Sequence, residues 1–277
     1  MVGDFSMRGD RRRLCGASCP PHPRTREAKP HSFPGEEPSR ILRDTSQAPN
    51  LEYARQAGQI RVRSRTLMNS PGEVALIAVV AAAVAALVAA ELSGRRLGAV
   101  VAKTVASAGF VLLALLGSGL ATPYGRWVLL ALAACMAGDV LLAVPRAFAA
   151  GLASFLVAHV GYIVAFSTVL PPRAWPRLVA AVVVVPGVAA AVWLWPHLGR
   201  LRVAVLAYIA VITLMTWGAI AVAGRAGWMT CAAGILFYVS DLTVARDRFV
   251  VRRFASRAWG LPAYYLAQVL FALTLSR

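Results

Sequence analysis

The stretch VALIAVVAAAVAALVAAELS, residues 74–93, carries a single ionisable side chain, Glu91, close to its end. A run of about 20 apolar residues is the length of helix that crosses roughly 30 Å of hydrocarbon. It stops at Ser93-Gly94-Arg95-Arg96, where glycine ends a helix and arginine marks a membrane–water boundary. The pattern repeats along the chain, with further apolar runs at roughly 98–118, 126–144, 151–170, 177–195, 203–223, 228–245 and 258–276. Thr122-Pro123-Tyr124-Gly125, Pro145-Arg146 and Pro171-Pro172-Arg173 separate successive runs. Pro186-Gly187 falls inside the fifth and predicts a kink there. The fold class expected is all-α, a bundle of eight transmembrane helices.

Composition agrees. At 58% hydrophobic and 15% charged, the chain has too few charges for the surface of a soluble domain of 277 residues. The net charge of +17 does not call for nucleic acid as a partner, because arginines in short loops are the ordinary signature of membrane topology. Most tryptophans stand near predicted span ends, as interfacial aromatics do, and Trp217 is the exception, read as packing.

Residues 1–67 differ in kind from residues 68–277. They are rich in Arg, Pro, Ser and Gly and show no apolar period, so a disordered basic tail is expected ahead of the eight-span domain. Eight spans put both ends of the membrane domain on one side. Short loops on the other side carry Arg95, Arg96, Arg146, Arg200, Arg202 and the cluster from Arg246 to Arg257. Loops on the side of the termini carry only Arg126, Arg173, Arg177 and Arg225. The loops therefore direct the termini outward while the basic tail favours the cytoplasm. A start of translation at Met68, with residues 1–67 an artefact of gene prediction, would remove the conflict. The expected location is the bacterial inner membrane, with the Arg-rich side cytoplasmic.

Several polar side chains interrupt the apolar runs: Glu91, Lys103, Asp139, His159, Asp241 and Gln268. Such groups are costly in a bilayer and mark functional sites by default. Counting about 1.5 Å per helical residue from the nearest Arg-rich loop, Asp139 lies roughly 9 Å deep, His159 roughly 12 Å and Asp241 about 7–8 Å. Lys103, Tyr264, Tyr265 and Gln268 approach from that same side. One layer holds them all. On the fourth span, Phe155, His159, Tyr162 and Phe166 repeat at i, i+4, i+7 and i+11, a single helix face expected to point into the bundle. Bland readings stand beside the functional ones. Either aspartate could be neutralised by Lys103, Lys103 could snorkel to the interface, and His159 or Ser240 could be interhelical hydrogen-bonders. Glu91 reads as a solvated interfacial carboxylate and the tyrosines as belt residues.

The ordered set Ala137-Gly138-Asp139-Val140-Leu141-Leu142, then Gly151, Phe155, His159, Tyr162 and Phe166, resembles the YhhN-like lysoplasmalogenase family of eight-span membrane proteins. Gly234 to Asp241 and Leu261 to Gln268 extend the resemblance, which covers about residues 74–277. Lys103-Thr104 departs from the family's usual Lys-Pro and leaves a local kink open. The resemblance implies hydrolysis of the vinyl ether bond of lysoplasmalogens to a fatty aldehyde and a glycerophospho-headgroup. Asp139 and Asp241 would be the acid/base pair. His159, Lys103, Tyr162, Ser240, Tyr265 and Gln268 would tune them or bind substrate. Two carboxyl groups in a poorly hydrated layer suit that chemistry, since one can stay protonated while the other stays ionised. A lysophospholipid and membrane lipid are the partners expected, and nothing in the residues sets an oligomeric state.

No metal or cofactor is expected. Cys15, Cys19, His22 and His31 fit no standard zinc spacing, and His159 is the one histidine well inside a span, with His197 at a loop edge. An intramembrane aspartyl protease would need signature residues that Ala137 and Ser240, preceding Gly138 and Asp241, do not supply. The remaining alternative is a proton-coupled transporter or lipid-binding protein using the same buried charges as a relay. It lacks a visible repeat between the two halves.

Overall fold

The structure, a computed structural model, describes residues 70–144, 146–251 and 254–276. All belong to the unit Ala48–Arg277. The tail expected over residues 1–67, with Met68, lies outside the described residues.

Two of the long helices begin where a side chain provides an N-terminal cap. Helix α1 (Pro71–Leu92) starts with proline, which needs no amide partner, and Ser70 Oγ accepts the Glu73 amide at 3.2 Å. Helix α3 (Pro123–Ala143) repeats the device, with Thr122 Oγ1 accepting the Gly125 amide at 3.0 Å. Between them runs α2 (Arg96–Leu116), entered through Gly94 at φ 67°, a left-handed turn that glycine allows without strain. There follow α4 (Phe148–Val169), α5 (Arg177–Leu194), α6 (Arg202–Ala221), α7 (Trp228–Ala245) and α8 (Phe254–Leu273). A π-turn, Arg246–Val250, leads out of α7. Helix α5 runs on through Pro186 as one element. Each helix lies within a few residues of its predicted span, and no strand occurs among the described residues.

Seven of these helices, α1 to α7, are long and apolar enough to cross a membrane. Leucines, valines and tryptophans on their outer faces, among them Leu97, Leu178, Val203 and Trp228, stay exposed, which in water would be unaffordable and in lipid is the resting state. This is an integral membrane protein. Helix α8 is long enough at 20 residues, yet Arg257, Tyr264, Tyr265 and Gln268 lower its mean hydropathy. Its position explains the difference. It packs on α7 and against α1, α2 and α3, so its polar face meets protein, with Tyr264, Tyr265 and Gln268 buried.

The closest pairs are antiparallel hairpins of successive helices, α3 with α4, α7 with α8 and α1 with α2. Helix α6 bridges α4, α5 and α7, while α5 lies at the periphery. The stripe expected on α4 faces inward as read, with Phe155, His159, Tyr162 and Phe166 all buried. One aromatic departs from the interfacial reading. Trp175 is buried, donates to the Leu170 carbonyl at 2.8 Å, and meets Trp217 edge-on at 5.3 Å, whose own Nε1 donates to the Pro176 carbonyl. The loop before α5 folds back onto α6, so a tryptophan near a span end in sequence lies inside the bundle.

Close helix contact depends on small residues where backbones approach. A Cβ added at Gly138 would lie 2.8 Å from Phe155 Cδ2 and Cε2, on the ring that orders the inner end of α4. Gly138→Ala is therefore expected to cost about 1–3 kcal/mol through overpacking. The midpoint of thermal unfolding in detergent should fall, whereas Gly72→Ala, whose Cβ meets nothing within 4 Å, should not lower it. Equal behaviour of the two variants would contradict this account of the α3–α4 contact.

Candidate functional site

A cavity of about 340 Å³ opens among the helix ends on the Arg-rich side. It is built from the last turns of α1, α3, α5 and α7, the first turns of α2, α4, α6 and α8, and the π-turn. Antiparallel connection puts all eight of those ends at one level, so the layer expected from residue counting exists. Asp139 and Asp241 both line the cavity, together with Lys103, Ser240 and Tyr264. Apolar walls from Leu142, Leu152, Phe155, Ile209, Ile212 and Leu261 make up most of the remainder.

The two aspartates have different surroundings. Asp139 is buried and gathers donors from α2 and α8. Ser107 Oγ donates to its Oδ2 at 2.6 Å and the Tyr264 hydroxyl at 2.8 Å, with the Tyr265 hydroxyl more distant at 3.5 Å. Lys103 Nζ lies 3.8 Å from Oδ1, with its side chain only 19% exposed. The lysine turns inward instead of snorkelling, and of the two aspartates it is Asp139 that it joins. Asp241 belongs to another set. The Tyr208 hydroxyl of α6 donates to its Oδ2 at 2.7 Å, and His159 Nε2 of α4 stands 3.5 Å from that same oxygen. His159 Nδ1 is 2.6 Å from the Phe155 carbonyl. A carbonyl can only accept, so Nδ1 carries the hydrogen, and Nε2 has no hydrogen-bond partner among the described residues.

Other residues anticipated from sequence take up positions around these. Ser240 lines the cavity and donates to the Gly260 carbonyl at 3.0 Å, tying α7 to α8. Tyr265 bridges Asp139 and the Lys103 carbonyl, the latter at 3.4 Å. Tyr162 and Gln268 are outside the cavity wall: the Tyr162 hydroxyl donates to Gln268 Oε1 at 2.8 Å, and the ring stacks on Phe271 at 4.2 Å. Glu91 is half-buried at the mouth and is held by Arg257 Nη1 at 2.9 Å, so its interface is a protein ion pair and not open water. Among the described residues, no three His, Cys, Asp or Glu side chains gather closely enough to hold a metal ion.

Sequence reasoning did not pick out Ser107 or Tyr208. A signal existed for Tyr208, since a tyrosine in an apolar span needs a partner for its hydroxyl when buried. Ser107 is indistinguishable in sequence from an ordinary small residue at a helix contact.

A sequence model of the YhhN family matches residues 98–275, which contain every aspartate, histidine and tyrosine just described. The chain belongs to the YhhN family. It is 35% identical over 148 residues to a Mycobacterium tuberculosis protein named lysoplasmalogenase, covering 50% of this chain and 56% of that protein. It is 32% identical over 140 residues to lysoplasmalogenase TMEM86B of Sus scrofa, covering 50% and 59%. With lysoplasmalogenase TMEM86A of Bos taurus it shares 37% identity over 135 residues, covering 46% and 55%. The chain spans about half the length of the curated relatives it matches. No solved structure matches this YhhN-family chain.

The buried Tyr162–Gln268 pair allows a test that is independent of chemistry. Tyr162→Phe leaves the Gln268 amide, whose Nε2 has no hydrogen-bond partner among the described residues, without the bond to its Oε1. The expected cost is about 1–3 kcal/mol. Adding Gln268→Leu should recover most of it, because no polar atom is then left unpaired. Unfolding midpoints of the single and double variants decide; a double variant weaker than Tyr162→Phe would contradict the pairing.

Proposed function

We propose that this protein is an intramembrane hydrolase that cleaves the vinyl ether bond of lysoplasmalogens by paired-aspartate acid/base catalysis. The names of its relatives support the substrate. The observation that carries the mechanism is that Asp139 and Asp241 line one cavity, each with hydroxyl donation, but with a lysine beside Asp139 and a histidine beside Asp241. Asp139 faces hydroxyl donors and an ammonium, all of which favour a carboxylate that has lost its proton. Asp241 Oδ2 faces the Nε2 of a histidine whose hydrogen sits on Nδ1. Two lone pairs repel, so this pair is favourable when one proton is held between them. Asp241 with His159 is then the acid, and Asp139 is the anion.

The reaction follows from that division. The proton held by Asp241 and His159 passes to the alkenyl carbon remote from the ether oxygen, leaving an oxocarbenium ion. Asp139 stabilises the cation and takes a proton from the water that adds to it. The hemiacetal so formed collapses with proton transfer to the departing oxygen, giving aldehyde and glycerophospho-alcohol. One water is consumed, and the proton lent by Asp241 is restored through Asp139. Low dielectric in the apolar cavity strengthens each of these charge interactions. The volume lies at the low end of ligand cavities, roughly 300–1,000 Å³, and suits the reacting bond and its immediate neighbours better than a whole long-chain lipid. The proposed setting is the bacterial inner membrane with the mouth facing the cytoplasm, in keeping with the arginines around it.

Purified protein in detergent should release aldehyde from lysoplasmalogen, an outcome that transport or passive lipid binding would not produce. Asp139→Asn and Asp241→Asn should each lower that rate by about 10²–10⁴-fold with the fold retained. In deuterated water, aldehyde trapped as it forms should carry one deuterium beside the carbonyl, placed there by protonation at carbon. Full turnover in both variants would end the paired-aspartate reading.

A further inference from the structure

We propose that Lys103 is a covalent capture site for long-chain aldehydes, holding them as a protonated imine paired with Asp139. This role rests on the hydrolase reading above, which supplies an aldehyde inside the same cavity. Cleavage itself makes no use of a nucleophilic amine.

Lysine is the exception among the cations of this chain. Of 29 lysines and arginines only Lys29 and Lys103 are lysines, and from Met68 onward Lys103 is the sole one. The difference is chemical. A guanidinium keeps its proton in a protein, whereas an ammonium can release one and become a nucleophile. A counterion for Asp139 needs no such ability. The carboxylates at the rim of the cavity, Glu91 and Asp247, are both paired by the guanidinium of Arg257.

The geometry leaves the amine available. Lys103 lines the cavity with its side chain largely buried. Ser107 and Tyr264 occupy Asp139 Oδ2, so the lysine meets the other oxygen. Its Nζ lies 3.8 Å from Oδ1, close enough for an ion pair and too far for a hydrogen bond. The carbon that becomes the carbonyl is the one Asp139 stabilises as a cation, so the aldehyde forms next to Nζ. Apolar walls such as Leu142 and Phe155 keep the chain there, and proximity then stands in for concentration.

Capture needs no further reagent. Asp139 takes one proton from the ammonium, and the free amine adds to the carbonyl carbon while a second nitrogen proton passes to the oxygen. Asp139 then returns its proton to the hydroxyl of this carbinolamine. Water departs, and an iminium with one N–H is left beside the carboxylate. Ammonium and aldehyde have become iminium and water, with one positive charge before and after, so the ion pair with Asp139 survives. Addition of water reverses the sequence and releases the aldehyde.

Free aldehyde tests capture apart from cleavage. Purified full-length protein in detergent is incubated with hexadecanal in amine-free buffer and reduced with sodium cyanoborohydride, which fixes an imine as a secondary amine. Mass spectrometry of peptides should find the hexadecyl group on Lys103, gained on the order of tenfold faster than on Lys29, the reference amine of the same chain. Unfolding in strong detergent beforehand should make the two lysines label alike. Lys103→Arg should lose the fast adduct and keep the slow one at Lys29. If Lys103 in the folded wild-type chain labels no faster than Lys29, capture is overturned, and aldehyde release from lysoplasmalogen by the same preparation leaves hydrolysis standing. If Lys103 is trapped by hexadecanal while lysoplasmalogen yields no aldehyde, the hydrolase reading falls and the capture site stands.

Discussion

A charge inside hydrocarbon must find a partner on another helix, and that requirement organises this bundle. Asp139 on α3 can be satisfied only by drawing in α2, through Ser107 and Lys103, and α8, through Tyr264 and Tyr265. Asp241 on α7 draws in α4 through His159 and α6 through Tyr208. Between them the two carboxyl groups tie together six of the eight helices at one level. Apolar packing alone would not do this, because lipid tails are as apolar as leucine and leave helices little reason to choose one register over another. The polar layer sets the register, and the small residues at Gly138 and Gly151 let the helices close around it.

Helix ends and depth were legible in the sequence because each has a local cause. Proline after serine or threonine starts α1 and α3, glycine and arginine end α1, and counting from these marks puts Asp139, His159 and Asp241 at one level. Direction around a helix was legible only where several residues shared a face, as on α4. Partner choice was not legible. By depth alone Lys103 could reach either aspartate, and only the azimuths of α2, α3 and α7 give it to Asp139. Tyr208 and Ser107 escaped for a related reason: each is a single polar atom on a helix otherwise read by its apolar pattern. Trp175 misled because a span end in sequence is not always an interface in space.

The same contacts that make the bundle stable also make its two aspartates unlike. Asp139 accepts from two tyrosines and a serine and faces a lysine, a set that would be wasted on a neutral carboxyl group. Asp241 has one hydroxyl donor and a histidine nitrogen that has nothing to give. Structural pairing and chemical asymmetry are thus not competing accounts of these residues. A scaffold needing only neutral burial could have used asparagine or glutamine at both positions, at lower desolvation cost. Retaining two ionisable groups beside a cavity is an expense that structure alone does not require.

Helix α8 carries this argument to its end. It is the least apolar of the long helices, and it supplies Tyr264 and Tyr265 to Asp139, Gln268 to Tyr162 and Arg257 to the rim. Such a helix would be a poor membrane span by itself. It is admitted because α1, α2, α3 and α7 surround it and present a partner to nearly every polar group it brings. Hydropathy therefore ranks lowest the helix on which the site most depends. In a bundle of this kind, a long segment that falls short of the apolarity of its neighbours spans only where those neighbours give its polar groups partners, which is why the polar layer gathers on it.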